Sequence, residues 1–395
     1  MEVKINKFDH FGRGIGKVNE KIIFINKALP GEIVDVNISK EKSKFLEGEI
    51  ITIKKSSDYR VNPICPFYSR CGGCDFLHTT YDNEKEFKLN KGKELLGNIS
   101  QFYETKNLNY RNKVILHVKN NTIGFYQEKT NEIVPIDYCY LLNDKINKII
   151  NNLQKIDLDI YNISKIIIKC NQDKTLMDVD GIIDDRFKNL FNYVDVIICN
   201  NKIIKGNGYL EEKIDNKIFK ITSEAFFQVN MEGLENIYQI ISKFLDNKSI
   251  NNVLDLYSGT GLWGILISNK VKKVNAIEIN KEACDNAKDN LKRNSIHNIE
   301  IINGNVKDYL SRFRNIDLVI TDPPRSGLDK KTKEYILQIK AKYFIYVSCD
   351  MQTLKRDLKD LKELYDVKKI DLVDMFRGTY HVETVCLLCH KTVDK

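Results

Sequence analysis

From about Ser223 onward the chain sets strand-like apolar runs and helix-like segments in strict alternation, and this constrains the fold more than any other feature. The runs are NVLDLYS, VNAIEIN, IEIINGN, IDLVITD, YFIYVSC, KIDLVDM and TVCLLCH. Alternation of this kind predicts a parallel sheet wound by right-handed crossovers, an α/β domain of Rossmann-like type. The first 55 residues read differently: short alternating runs (KIIFI, EIVDVNIS, FLEGEIITI) broken by Gly12, Gly14, Gly16, Gly31 and Gly48, as in a small closed β-barrel. Between them lies a mixed stretch with a Lys- and Glu-rich helical pattern, YDNEKEFKLNKGKELLGNI, and strands at KVILHVK, TIGFY, KIIIKC and DVIIC. The expectation is three domains: 1–55 a barrel, 56–222 a central α+β domain, and 223–395 the α/β domain.

Net charge is +8, from 62 Lys and Arg against 54 Asp and Glu, which suits a polyanionic partner and equally a plain soluble protein. No segment approaches the roughly 18 uninterrupted apolar residues of a membrane helix, and no membrane partner is expected. Met1 is followed by charged residues instead of a signal-peptide core, which predicts a cytoplasmic protein whose ten cysteines are reduced.

Strand NVLDLYS runs into GTGLWG, Gly259 to Gly264, where glycines permit a sharp turn and close approach of a ligand. Glu278, about twenty residues on at the end of the next strand, stands where an acidic side chain meets a ribose. A Walker-type Lys is absent, so an adenosine-and-ribose ligand without a pyrophosphate fits better. The bland alternative is a tight β–α turn with a solvated Glu278. Asn305 or Asp308, in NGNVKD, suits an ordinary helix N-cap. TDPPRSG, Thr321 to Gly327, fixes a rigid polar loop directly behind Asp322 at the carboxyl edge of the sheet, where open α/β proteins place ligands. Cys349, in VSCD, reaches the same edge. If the last strand runs antiparallel to the others, Glu383 in HVETV begins there too, and a thiol and a carboxylate flank one pocket.

Cys65, Cys71 and Cys74 are spaced C-x5-C-x2-C, and Cys139 follows far downstream. This spacing favours a metal site over a redox pair or scattered packing thiols, with zinc and iron–sulfur both open. Cys170, Cys199, Cys284, Cys386 and Cys389 are expected to be packing residues.

Taken together, FGRGIGK with ALPGE, CPFYSRCGGC, FFQVN, DLYSGTG, DPPRSG, VSCD and HVETV resemble, in order and over nearly the whole chain, the bacterial RNA uracil-5-methyltransferases. The likeness is greatest to the iron–sulfur members that modify large-subunit ribosomal RNA. The resemblance implies a class I S-adenosylmethionine-dependent methyltransferase domain, an OB-like barrel of the TRAM type that binds RNA, and a central iron–sulfur domain. It implies that Cys349 adds to carbon 6 of uracil and that Glu383 removes the carbon-5 proton. Arg325 is a candidate to favour the thiolate or to contact substrate. Gln228, Tyr257, Glu278, Asn305 and Asp322 fall on the family's S-adenosylmethionine-binding positions, while Leu262 departs from the polar residue usual there. Cys65, Cys71, Cys74 and Cys139 would hold a [4Fe–4S] cluster of structural role. Lys4, Lys7, Arg13, Lys17, Lys21 and Lys27 could track phosphates. The expected substrate is 23S rRNA, with tRNA as the alternative, and the protein is expected to be a monomer. Rival readings are an amino-group methyltransferase, which needs neither Cys349 nor Glu383, and a non-catalytic cluster-bearing RNA-binding protein.

Overall fold

The computed structural model describes residues 1–128 and 130–393, so the last two residues of the expected third domain lie outside the described range. At the N-terminus, six strands occur in the spatial order Glu2–Lys4, Ile33–Glu41, Phe45–Lys55, Lys21–Ile25, Gly14–Val18, Lys7–Phe8. The two ends of this order are halves of one bent strand. Ile5 N–H donates to Glu32 O at 2.9 Å and Asn6 N–H to Ile15 O at 2.8 Å, so the sheet closes on itself as the alternation predicts. Its core is Val3, Ile5, Ile23, Ile25, Val34, Val36 and Leu46. Gly16 is required by packing, because a Cβ there would stand 2.3 Å from Val3 Cγ1.

The central sheet has seven strands in the order Ile133–Pro135, Thr122–Tyr126, Lys113–Lys119, Lys165–Cys170, Thr175–Asp180, Val196–Cys199, Lys202–Lys205. Helix Asp144–Leu153 buries Ile146, Ile149, Ile150 and Leu153, whose i, i+3, i+4, i+7 spacing makes one apolar stripe.

The α/β sheet has eight strands: β1 Gln101–Tyr103, β2 Ile250–Leu256, β3 Val271–Glu278, β4 Ile299–Asn303, β5 Leu318–Thr321, β6 Tyr343–Ser348, β7 Tyr365–Val373 and β8 Glu383–His390. Their spatial order is β4-β3-β2-β5-β6-β8-β7-β1. Only β8 opposes the rest, pairing antiparallel with β6 and β7. One expectation needs correction. Strand β1 and helix Tyr81–Leu96 fall inside the span 56–222 assigned to the central domain, yet β1 forms the sheet's last edge and the helix lies on helix Met351–Leu361. Chain proximity does not choose a core; the helix follows the surface that buries Phe87 and Leu96.

That helix also carries a buried ion network. Lys88 Nζ donates to Glu84 Oε1 and Asp374 Oδ1, both at 2.6 Å, and Arg377 donates to Glu84 Oε2 at 2.9 Å. Gly378 N–H adds a bond to Glu84 Oε1 at 2.9 Å, so the network fixes the turn leading into β8. Removing one member leaves buried carboxylates uncompensated. Lys88→Ala is therefore expected to destabilise the protein by about 3–5 kcal/mol, read from the urea midpoint; a shift within error would show that the network adds nothing.

Candidate active site

Four of the five positions expected to hold the cofactor lie at consecutive strand ends. Tyr257, Glu278, Asn305 and Asp322 follow or end β2, β3, β4 and β5, which are neighbours in the sheet. The turn after β2 is left-handed at Tyr257 (φ 59°), Gly259 (φ 54°) and Gly261 (φ 80°) before helix Leu262–Ile267 begins. A tyrosine in that region is conformationally costly, which points to a demand for its side-chain direction. Glu278 accepts from Gly259 N–H at 2.9 Å and Asn280 N–H at 2.7 Å, so its carboxylate is held against the glycine turn. Asn305 accepts from Lys307 N–H at 3.3 Å and caps helix Val306–Tyr309, the bland role foreseen for it. Gln228 comes from outside the sheet, buried in the segment before helix Met231–Leu245.

Asp322 accepts from the indole N–H of Trp263, the chain's one tryptophan, at 3.1 Å. Burial pushes Asp322 up to about 6, against that hydrogen bond. Asp255, fully buried within β2, accepts from Gly264 N–H at 2.9 Å and is pushed up to about 7, again by burial first. Sequence reasoning passed over both Trp263 and Asp255. The single tryptophan inside the glycine turn was the available signal for one; a mid-strand Asp in an apolar run was the signal for the other.

At the edge beyond β5, Cys349 follows β6 and Glu383 opens β8. The antiparallel ladder pairs Ser348 with Thr384, which sets Cys349 and Glu383 at the same end of adjacent strands. The condition on strand direction is thus met. Cys349 is half-buried and Glu383 is 3% exposed. Burial, then the carboxylates of Glu383 and Asp322, push the Cys349 thiol up to about 12, while Arg325 pulls it down. Glu383 is held well above the usual carboxylate range by burial and Asp322, and Arg325 again opposes. Burial thus outweighs the pull of Arg325 and favours the protonated thiol.

A cleft of about 510 Å³ reaches the α/β domain at Arg325 and His381; Cys349 and Glu383 are not among its lining residues. Its walls come from the barrel (Phe11, Arg13, Lys27), the cysteine loop (Gly72–Asp75), Arg111, and the Arg325 and His381 side of the α/β domain. The cysteine loop is tied to the turn before β8: Asp75 N–H and Phe76 N–H both donate to Gly378 O, at 2.7 and 3.0 Å. Of the six barrel cations, Lys4, Lys7 and Lys17 are exposed. Arg13 is paired with Asp9 at 2.7 Å, Lys21 with Glu41 at 2.7 Å, and Lys27 donates to Tyr68 O at 2.7 Å.

Cys65, Cys71, Cys74 and Cys139 line one cavity of about 380 Å³, together with apolar side chains including Leu77, Val114, Phe125 and Leu142. Among the described residues no three Cys, His, Asp or Glu side chains converge closely enough to hold a metal ion. The expected metal ligands share a cavity without forming a coordination site. Burial pushes all four thiols up. The remaining cysteines are buried, as expected of packing residues.

Among the described residues no helix is long and apolar enough to cross a membrane. The family description for tRNA (uracil-5-)-methyltransferases matches residues 173–391, and that for the TRAM domain matches residues 1–51. An uncharacterized RNA methyltransferase of Clostridium acetobutylicum is 33% identical, over 100% of this chain and 97% of the relative. A second, from Caldanaerobacter subterraneus, is 31% identical over 98% of this chain and 97% of its own length. The crystal structure of Pyrococcus abyssi tRNA (uracil-54, C5)-methyltransferase, in complex with S-adenosyl-L-homocysteine, superposes with a TM-score of 0.83. It is 25% identical and covers 98% of this chain and 100% of that one. With a strand-end ligand edge, a neighbouring thiol and carboxylate, and relatives matching along its whole length, the chain belongs to the tRNA (uracil-5-)-methyltransferase family.

Proposed function

We propose that this enzyme methylates carbon 5 of uridine in 23S rRNA, with S-adenosylmethionine as the donor, working as a monomer in the cytoplasm. The observation that carries the reading is the placement of Cys349 and Glu383 at one end of antiparallel neighbours, with Arg325 among the walls of a cleft that the barrel also lines.

Gln228, Tyr257, Glu278, Asn305 and Asp322 hold the cofactor, which supplies a methyl group on a positively charged sulfur. Asp322 and Glu278 offer carboxylates to that charge and to a ribose. Carbon 5 of uracil is a poor nucleophile. Cys349 loses its proton to solvent and its sulfur bonds to carbon 6; the ring's electron pair moves to carbon 5, which takes the methyl group as the donor's carbon–sulfur bond breaks and leaves a neutral thioether. Glu383 removes the carbon-5 proton; the electron pair left behind re-forms the ring double bond and expels the thiolate. Reaching carbon 6 requires the uridine to leave its stack, so an RNA loop is the expected target. The exposed lysines 4, 7 and 17 follow phosphates.

Transfer RNA is the second reading, favoured by the Pyrococcus enzyme's fit along the full chain. Mapping 5-methyluridine in ribosomal and transfer RNA from cells with and without the gene tests both. Loss of a 23S rRNA site is expected; loss confined to tRNA would replace the first reading with the second, and no loss in either would reject both.

We further assign the four-thiol cavity to a [4Fe–4S] cluster held by Cys65, Cys71, Cys74 and Cys139, which would brace the cysteine loop against the turn at Gly378. Anaerobically purified protein is expected to contain iron and acid-labile sulfide in equal amounts, and Cys139→Ser to lose both. Zinc alone would overturn this assignment.

A further inference from the structure

We propose that Lys169, on the central sheet, and Asn112, just before its strand Lys113–Lys119, clamp the 222–230 segment so that the central domain positions the cofactor site of the α/β domain. The inference rests on the assignment of Gln228 to the cofactor. Lys169 lies in strand Lys165–Cys170 and is 3% exposed. Its ammonium donates to Thr222 O at 2.6 Å and to Ala225 O at 2.7 Å. Asn112 sits beside it, since its carbonyl accepts from Cys170 N–H at 2.9 Å. Asn112 Nδ2 donates to Gln228 O at 3.1 Å, and Asn112 N–H to Val229 O at 3.1 Å. Four carbonyls on both sides of Phe226, which is 70% exposed, are thus fixed by two neighbouring residues of the central domain. The near end is gripped from the α/β side as well, where Thr222 Oγ1 donates to Glu282 Oε1 at 2.7 Å.

A buried ammonium is an expensive way to fill space; an apolar side chain of equal length would pack as well without the desolvation cost. Here burial and the nearby Lys113 pull Lys169 down to about 7, while Glu224 and Glu282 oppose. What the amine provides and a hydrocarbon cannot is a pair of directed bonds to backbone that forms neither helix nor strand between strand Lys217–Ile221 and helix Met231–Leu245. Lys169 and Asn112 are positioning residues, acting through Gln228 and its neighbours.

Lys169→Met keeps the length and removes the donors; Asn112→Ala is the milder lesion should the first fold poorly. Both are expected to speed hydrogen exchange across 222–230 and to weaken S-adenosylhomocysteine binding about ten- to a hundredfold, the scale of a displacement near 1 Å. KM for S-adenosylmethionine should rise accordingly with kcat little changed, and exchange in the barrel should stay as it was. Unchanged exchange in 222–230 would overturn the proposal, as would faster exchange with undiminished affinity. Gln228→Ala in the otherwise intact protein separates the two layers: should it leave affinity intact while Lys169→Met lowers it, the clamp stands and the role of Gln228 falls.

Discussion

Cys349→Ala is expected to abolish 5-methyluridine formation, a loss on the order of 10⁴- to 10⁶-fold, the scale seen when a covalent nucleophile is removed. S-adenosylhomocysteine and RNA should still bind, because neither proposed binding surface includes the thiol. RNA carrying 5-fluorouridine should form a covalent complex with the unaltered enzyme and none with the variant, since fluorine at carbon 5 blocks the final proton removal. Undiminished methylation by Cys349→Ala would remove the mechanism and leave an amino-group methyltransferase as the better reading. The pH dependence follows from the same atoms. Both Cys349 and Glu383 act deprotonated, and both are displaced upward, the thiol to about 12, chiefly by burial. A group needed as its base form and raised in pKa gives a rate that climbs with pH. We expect single-turnover rates to rise through neutrality without a descending limb up to mildly alkaline pH. Arg325 pulls both groups down, so Arg325→Ala should move the profile to higher pH. A rate that falls as pH rises would contradict the assignment.

Glu383→Gln should produce a different failure. The sulfur can still add and the methyl group can still transfer, but the carbon-5 proton has no base. Turnover is expected to drop about 10²- to 10⁴-fold, the usual share of general-base catalysis. Methylated RNA should remain attached to the protein and migrate with it on a denaturing gel. A variant with normal turnover and no trapped complex would take the base role away from Glu383.

The two residues differ in how plainly the sequence announced them. Cys349 was legible because an apolar run, YFIYVS, must end at the carboxyl edge of a parallel sheet, and the thiol comes next. Glu383 was legible only conditionally. The run VCLLC looks the same in either direction, and alternating βα units argue for parallel pairing; it is the short turn from Val373 to Glu383, with no crossover helix, that sends β8 back antiparallel. Lys88 and Glu84 were hidden in a stretch that read only as a Lys- and Glu-rich helix, because i, i+4 ion pairs look alike on a surface and in a core. Lys169, in KIIIKC, gave no signal beyond an interrupted apolar run.

By itself the sequence determined what is local or periodic: the alternating elements, the glycine turn after the first strand, the thiol spacing, and the strand ends that must face one edge. Tertiary structure alone decided which core helix 81–96 joins, that the four cysteines share a cavity, and that burial raises the Cys349 thiol. Those outcomes depend on contacts between residues tens to hundreds of positions apart and on how much water they exclude. Burial sets the cost of a charge, and burial is a property of the folded surroundings, not of neighbours along the chain.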